Sequence, residues 1–164
     1  MNVDLIDATL ADKPVLGNLL ELYQYDFTEY TGDDVGPDGR FGYRYLDAYF
    51  ANPDRHAFLI RADGQLAGFV LVRRATSALG DGDVFDMAEF FVMRKYRRRA
   101  VGSEAAHRTF DRFVGRWEVR EMAANLPAQA FWRRVIAAHT AGRFEERRID
   151  HGRRLMHSFD NSSL

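Results

Sequence analysis

The chain has 164 residues, 46% of them hydrophobic and 13% aromatic, and this composition predicts one globular domain over residues 1–164. It contains no cysteine, which excludes disulfides and thiolate chemistry and is typical of a reducing compartment, so we expect a cytoplasmic protein. Its net charge of −1, from 23 basic and 24 acidic residues, disfavours a surface built for nucleic acid. Residues 1–4 lack a basic start, and no apolar stretch of about 20 residues follows, so we expect neither a signal peptide nor a membrane span.

The first third of the chain predicts one strand and two helices. Residues 3–8 have a strand pattern, and Thr9-Leu10-Ala11-Asp12 forms a capping-box pattern that opens a helix reaching about residue 29. Residues 31–42 contain four glycines, one proline and three aspartates, which predicts a loop. Residues 43–50 predict a shorter helix, closed by Asn52-Pro53.

The rest of the chain predicts six strands and two helices. Residues 57–62 and 65–74 are strands joined by the hairpin signal Asp63-Gly64. The later elements are a strand at 84–93, a strand at 117–122, a helix at 127–139, and a closing hairpin of 144–149 with 153–159. The order β-α-α-β-β-β-α-β-α-β-β predicts an α/β fold with a mixed sheet of about seven strands and about four helices.

Residues 83–114 consist of three segments of different character: a buried strand, a basic turn and a helix. The turn Arg94-Lys95-Tyr96-Arg97-Arg98-Arg99 carries five cations, and helical spacing begins at Val101. The free N–H groups and the dipole of a helix N-terminus attract anions. Small residues at Ala100, Gly102 and Ser103 let an anion approach the backbone, and arginines add bidentate hydrogen bonds. This pattern predicts a pyrophosphate site.

The segment Arg97-Arg98-Arg99-Ala100-Val101-Gly102 resembles the Q/R-x-x-G-x-G/A loop of the GNAT superfamily of N-acetyltransferases. In that family the loop binds the pyrophosphate of coenzyme A. Ala100 stands where glycine is usual, and alanine serves there if its φ is negative. The segment Asn125-Leu126-Pro127-Ala128-Gln129-Ala130-Phe131-Trp132 is similar to the family's N-x-x-A-x-x-F/L-Y motif, with Trp132 in the place of tyrosine. Together with the order of elements, the resemblance implies the acyl-CoA N-acyltransferase fold along nearly the whole chain.

The resemblance implies that strands 88–93 and 117–122 separate at their ends, so that the opened backbone pairs with the pantetheine arm. Val92 N–H is then the expected donor to the oxyanion. The expected residues that bind the cosubstrate acetyl-CoA are Phe91, Val92, Met93, Arg97, Arg98, Arg99, Ala100, Val101, Gly102, Ser103, Asn125 and Trp132. For Asn125, a helix cap is an equal alternative.

Asp86 and Glu89 are the candidates for the catalytic base, because they are carboxylates in an apolar strand where burial raises the pKa. A structural ion pair with an arginine is the alternative for either. Glu118 and Glu121 are weaker candidates, which we interpret as solvated strand charges. No acid is assigned, because Trp132 has no ionisable proton and Tyr96 lies next to the phosphate loop. We expect some of the tyrosines in the first third of the chain to line an acceptor pocket and the others to pack in the core. The set is Tyr23, Tyr25, Tyr30, Tyr43, Tyr45 and Tyr49.

These residues lead us to expect an acetyl-CoA-dependent N-acetyltransferase that acts by direct transfer to a primary amine of a small molecule or protein. The alternative is a non-catalytic acyl-CoA-binding or sensing module on the same fold. Nucleic-acid binding through residues 94–99 is a third hypothesis, which the balanced charge disfavours. We expect acetyl-CoA and an amine acceptor as partners, with no metal, nucleic acid or membrane. Similar proteins often form homodimers, although no residue here demonstrates one.

Overall fold

The structure is a computed structural model that describes residues 1–164. Its strands are β1 (Val3–Asp7), β2 (Arg55–Ala62), β3 (Gln65–Thr76), β4 (Asp83–Val92), β5 (Arg116–Met122), β6 (Glu145–Ile149) and β7 (Arg154–Asp160). Its helices are α1 (Lys13–Thr31), α2 (Ala48–Ala51), α3 (Val101–Arg112) and α4 (Leu126–Thr140). No helix has the length and apolar character needed to cross a membrane.

The seven strands form one mixed sheet in the order β1-β2-β3-β4-β5-β7-β6. All neighbours are antiparallel except β4 and β5, which are parallel because α3 crosses between them. The predicted fold class, a mixed sheet of about seven strands with about four helices, is therefore confirmed.

The helix predicted at residues 43–50 is shorter than expected, since only Ala48–Ala51 is helical. The preceding residues form successive turns, with Leu46 N–H bonded to the carbonyl of Tyr43 at 3.2 Å and Ala48 N–H to that of Tyr45 at 3.1 Å. These are bonds to the third residue back, and so short a segment gains little from the cooperative growth of an α-helix.

The two faces of the sheet carry two separate hydrophobic cores. Alternation along β2 places Phe58 and Ile60 in a cluster of 21 buried residues with α3 and α4. The same alternation places Ala57 and Leu59 in a cluster of nine buried residues with α1 and α2. Each helix pair therefore covers one face of the sheet.

A bulge in β4 determines which side chains face α1 and α2. Leu71 pairs with Glu89, but the next residue Val72 pairs with Met87, so Ala88 has no partner on β3. Without the extra residue, side chains three positions apart would point to opposite faces. Because of the bulge, Asp86 and Glu89 both lie on the α1 and α2 face.

The strands β4 and β5 pair at only two positions. Phe85 pairs with Trp117 and Asp86 pairs with Glu118, after which the two strands separate. The remainder of β4, up to Val92, therefore has a strand neighbour only on the β3 side. This opening between two central strands is the separation that the family resemblance implied.

We predict that Gly68→Ala destabilises the protein. A Cβ atom at Gly68 would lie 1.9 Å from the carbonyl oxygen of Phe91, so β3 and β4 would have to move apart. The expected loss in the free energy of unfolding is about 1–3 kcal/mol or more, measured by urea denaturation. Gly17→Ala is the matched control. Gly17 lies within α1, and a Cβ atom there would contact only the side chain of Leu46, at 3.4 Å. That control should hold or raise stability, by up to about 1 kcal/mol; equal effects of the two changes would contradict this account.

Candidate active site

The basic turn between β4 and α3 is built on two residues with positive φ. Arg98 has φ of 60° and Ala100 has φ of 62°. The condition under which alanine would serve at position 100, a negative φ, is therefore not met. The chain must turn sharply from the 3-10 helix at Arg94–Tyr96 into α3, and the left-handed conformation provides that turn. An alanine there costs roughly 1–2 kcal/mol relative to right-handed backbone.

Two cations of the turn bind a carboxylate on α1. Arg94 donates to Asp26 at 2.6 Å, and Arg97 forms a second ion pair with the same carboxylate. Burial opposes ionisation of Asp26, but the hydrogen bonds from Arg97 and Arg94 outweigh it and lower the pKa of Asp26. Arg97 Nε also donates to the carbonyl of Val92 at 2.7 Å. Arg97 thus ties the turn to α1 and to the end of β4, a role that local sequence does not reveal because Asp26 is distant in the chain.

A cavity of about 550 Å³ lies against this turn, and we call it the loop-side cavity. Its lining includes Arg98, Ala100, Gly102 and Ser103. Arg97 also lines this cavity, Arg99 is exposed outside it, and Val101 is buried in the core. Arg98 makes no ion pair with the protein, so its guanidinium is available to an anion.

The backbone at the end of β4 is directed towards the opening. Met93 N–H donates to the carbonyl of Ala67 at 2.8 Å, so the backbone N–H of Met93 points to β3. Because N–H groups alternate between the two edges of a strand, Val92 N–H points to the other edge. There β5 no longer accompanies β4, since their pairing ends at Asp86. Phe91 and Val92 both border the loop-side cavity, whereas Met93 does not.

A second cavity, of about 490 Å³, lies on the α1 and α2 side of the opening. We call it the tyrosine-side cavity, because its lining includes Tyr23, Tyr43, Tyr45 and Tyr49. Of the other predicted pocket tyrosines, Tyr30 borders the loop-side cavity and Tyr25 borders neither. The residues that line both cavities are Tyr23, Phe27, Phe90, Asn125, Ala128 and Trp132. The two cavities therefore meet at the opening between β4 and β5.

The start of α4 forms one wall of this junction. Asn125 accepts a hydrogen bond from Ala128 N–H at 3.1 Å, so it caps the helix as the alternative interpretation required. Trp132 is buried and packs against Phe90, with ring centroids 5.0 Å apart. A Cβ at Gly102 would lie 3.2 Å from the ring of Phe131, so the glycine permits α3 to approach α4. Asn125 and Trp132 thus shape the junction through packing and capping.

Asp86 is held in a structural ion-pair network. It is 3% exposed, and its carboxylate lies 2.7 Å from Arg73 Nε and 3.4 Å from Arg120. These two guanidiniums come from the strands on either side of β4. Each oxygen of this carboxylate therefore contacts a guanidinium, so neither oxygen is free to receive a proton from an acceptor amine.

Glu89 has a different environment, in which hydroxyl groups replace cations. Tyr23 donates to its carboxylate at 2.5 Å, and Tyr43 donates at 3.2 Å. Burial raises the pKa of Glu89 even though both hydroxyls favour its ionised form. Burial and the nearby Glu89 charge also raise the pKa of Tyr23 well above its usual value, so this phenol remains protonated. Only the structure shows this trio, since its members come from α1, β4 and the turns before α2.

Two acidic residues of β5 and one tyrosine near the basic turn remain to be described. Glu118 and Glu121 are not solvated strand charges, being only 1% and 8% exposed. Glu118 accepts from Ser77 at 2.5 Å, and Glu121 lies 2.5 Å from His157 Nε2. Charged residue types suggest solvent exposure, but Glu118 lies between β4 and β7, and Glu121 contacts His157 of β7. Tyr96 is buried within the α3 and α4 core, away from both cavities.

We predict that Ala100→Gly stabilises the protein by up to about 1 kcal/mol, because glycine adopts positive φ without strain. The measurement is the denaturant midpoint relative to the unmodified chain. The matched control is Ala138→Gly, at an exposed position of α4, where glycine should cost about 1 kcal/mol. Destabilisation of similar size at both positions would contradict the left-handed geometry at Ala100.

The architecture is shared with several solved acetyltransferases. An acetyltransferase from Thermus thermophilus superposes with a TM-score of 0.71 at 16% identity, covering 98% of this chain and 97% of the other. The ribosomal-protein-S18-alanine N-acetyltransferase from Escherichia coli gives a TM-score of 0.64 at 13% identity over 99% and 96% of the two chains. PaiA N-acetyltransferase from Thermoplasma acidophilum, solved with coenzyme A, gives 0.60 at 12% identity over 98% and 99%.

These likenesses show the fold, and sequence comparison shows the family. No curated protein matches the chain at a significant level. The family model described as Acetyltransferase (GNAT) family matches residues 19–136, which is more than half of the chain and runs from α1 to α4. The expected resemblance is therefore confirmed, and the chain belongs to the GNAT acetyltransferase family.

Proposed function

We propose that the protein is an acetyl-CoA-dependent N-acetyltransferase that transfers an acetyl group directly to a primary amine. The observation that carries the proposal is the junction of two cavities at the opening between β4 and β5, with Glu89 beside it. One cavity ends at a helix N-terminus suited to phosphates, and the other holds a buried carboxyl of raised pKa. Acetyl-CoA and the amine would enter from opposite sides and meet at the junction of the two cavities, beside Glu89.

The loop-side cavity is the proposed site for acetyl-CoA. The N–H groups at the start of α3 and the unpaired guanidinium of Arg98 would bind the pyrophosphate. The free edge of β4 around Phe91 and Val92 would pair with the pantetheine amides, as an added strand does. The coenzyme A complex of the Thermoplasma acidophilum relative is consistent with such binding on this fold.

Glu89 is the proposed base, in preference to Asp86. It would accept a proton from the acceptor amine as the nitrogen attacks the acetyl carbonyl carbon, while Val92 N–H donates to the developing oxyanion. The carbon–sulfur bond then breaks and the thiolate leaves with its electron pair. Tyr23 carries the only hydroxyl that borders both cavities, so it is the proposed source of the proton for that thiolate, with Glu89 restoring it.

One observation favours the alternative of a non-catalytic acyl-CoA sensor. Trp132 places an indole in the cavity where family members usually have a tyrosine hydroxyl. The Glu89 and Tyr23 pair supports catalysis instead. A buried carboxyl that is bound only by hydroxyls costs folding free energy, and groups of this kind occur mainly at functional sites. Release of free thiol from acetyl-CoA, measured with a broad panel of primary amines, distinguishes the two. Turnover with any amine supports the transferase; tight coenzyme A binding without turnover across the panel supports the sensor.

We predict that Arg98→Glu weakens coenzyme A binding by about tenfold or more, because it removes a charge-assisted contact and adds repulsion. The measurement is a calorimetric titration with coenzyme A. Lys95→Glu is the matched control, since it makes the same charge change three residues away on an exposed side chain outside the cavity. Unchanged affinity in the Arg98 variant would remove the phosphate role of this loop.

We predict that Glu89→Gln lowers kcat by roughly 100-fold or more while leaving the KM for acetyl-CoA nearly unchanged. The base must be ionised to accept a proton, and its pKa is raised. In the unmodified protein kcat should therefore fall as pH decreases through that raised pKa, and rise as pH increases through it. The variant should lose this step in the pH profile. An identical profile in both proteins would exclude Glu89 as the base.

A further inference from the structure

A row of charged side chains crosses the floor of the tyrosine-side cavity. Arg55 of β2 pairs in register with Arg73 of β3, and Arg73 pairs with Asp86 of β4. Residues directly opposite one another on neighbouring strands project from the same face. All three line the cavity, and Arg120 of β5 joins them from the far side of Asp86.

This row carries more positive than negative charge. The single carboxylate of Asp86 serves both Arg73 and Arg120, at 2.7 and 3.4 Å. Arg55 has no carboxylate partner, and its guanidinium lies 5.2 Å from the ring centroids of both Tyr45 and Tyr49. The row therefore holds three guanidiniums and one carboxylate, which leaves a surplus of positive charge at the cavity floor.

None of the cavity's other acids forms an ion pair with Arg55, Arg73 or Arg120. Glu121 is turned to His157, at 2.5 Å. Arg154 is paired with Asp150, at 3.6 Å. Asp33 is exposed on the loop after α1. The remaining acid is Glu89, which is bound by tyrosine hydroxyls and is the proposed acceptor of the amine proton.

A buried donor lies beside Arg55. Tyr49 is 5% exposed and lines the cavity, and its hydroxyl has no hydrogen-bond partner. An unpaired buried hydroxyl is unfavourable, so a ligand atom that accepts its hydrogen bond would remove that cost. A tyrosine hydroxyl and a free guanidinium together suit an oxyanion.

We propose that the acceptor is a small zwitterion, a primary amine whose molecule also carries a carboxylate, as in a free amino acid. The amine would lie at Glu89 and the carboxylate at Arg55, with Arg73 and the Tyr49 hydroxyl as further donors. Tyr43 links the two ends, because its hydroxyl contacts Glu89 at 3.2 Å and its ring lies 5.9 Å from that of Tyr45. Amines with several positive charges are disfavoured by the same guanidiniums. This inference rests on the proposed transferase function and specifies its acceptor.

The test compares free amino acids with their carboxamides as matched pairs, using thiol release from acetyl-CoA. We expect kcat/KM to be about tenfold or more higher for the carboxylate member, as the loss of a charge-assisted contact implies. The amine of a carboxamide is less basic and more often unprotonated, so this bias works against the expected result. Peptides with free N-termini should behave like the carboxamides.

Arg55→Met should bring the two members of each pair to within about threefold of each other, mainly through KM of the acceptor, with KM for acetyl-CoA unchanged. Arg61→Met is the control, because Arg61 lies on the same strand, donates to the carbonyl of Gly64, and does not line the cavity. The control should keep the preference for the carboxylate.

Each outcome decides a different statement. Carboxamides that react as well as the acids would overturn the zwitterion proposal and leave the transferase function intact. A carboxylate preference that survives Arg55→Met would remove Arg55 from the site. A stronger preference for an aminoalkylphosphonic acid of equal chain length would replace the carboxylate with a phosphonate or phosphate. Absence of turnover with every amine would overturn the proposed function, and this inference with it.

Discussion

The separation of β4 from β5 is the constraint on which the rest of this structure depends. After two paired positions the strands separate, and the outer edge of β4 has no strand neighbour. Unpaired backbone groups in the middle of a sheet are costly unless another partner binds them. Arg97 provides one such partner, because its Nε bonds the carbonyl of Val92 while its guanidinium is anchored by Asp26. Arg97 thereby stabilises the separated end of β4, and the cavities on the two sides of the opening meet there.

The bulge at Ala88 gives this opening its chemistry. It places Glu89 on the same face as Asp86, and so beneath the tyrosines of α1 and of the turns before α2. The two carboxyls then differ in environment. Asp86 is held between guanidiniums, whereas Glu89 is buried among hydroxyls and its pKa is raised. Neighbouring acids that face different surroundings can take different roles, here a structural anchor and a proton acceptor.

Much of the fold could be predicted from the sequence because it depends on local patterns. The alternation in β2 and β3, the Asp63-Gly64 hairpin and the change from strand to basic turn to helix after Val92 are all legible along the chain. The details of the site depend on contacts distant in sequence. The bulge at Ala88, the Asp26 anchor and the tyrosine partners of Glu89 arise only when separate elements pack together. For the same reason the sequence did not reveal the positive φ of Ala100, which belongs to the sharp turn into α3.

The most direct test of this account is a crystal structure of the protein with coenzyme A. We expect the pantetheine arm to lie between β4 and β5, the pyrophosphate to contact the N–H groups between residues 98 and 103, and the thiol to reach the junction of the two cavities near Val92 and Glu89. Coenzyme A bound elsewhere, or an opening that stays empty at saturating ligand, would contradict the account.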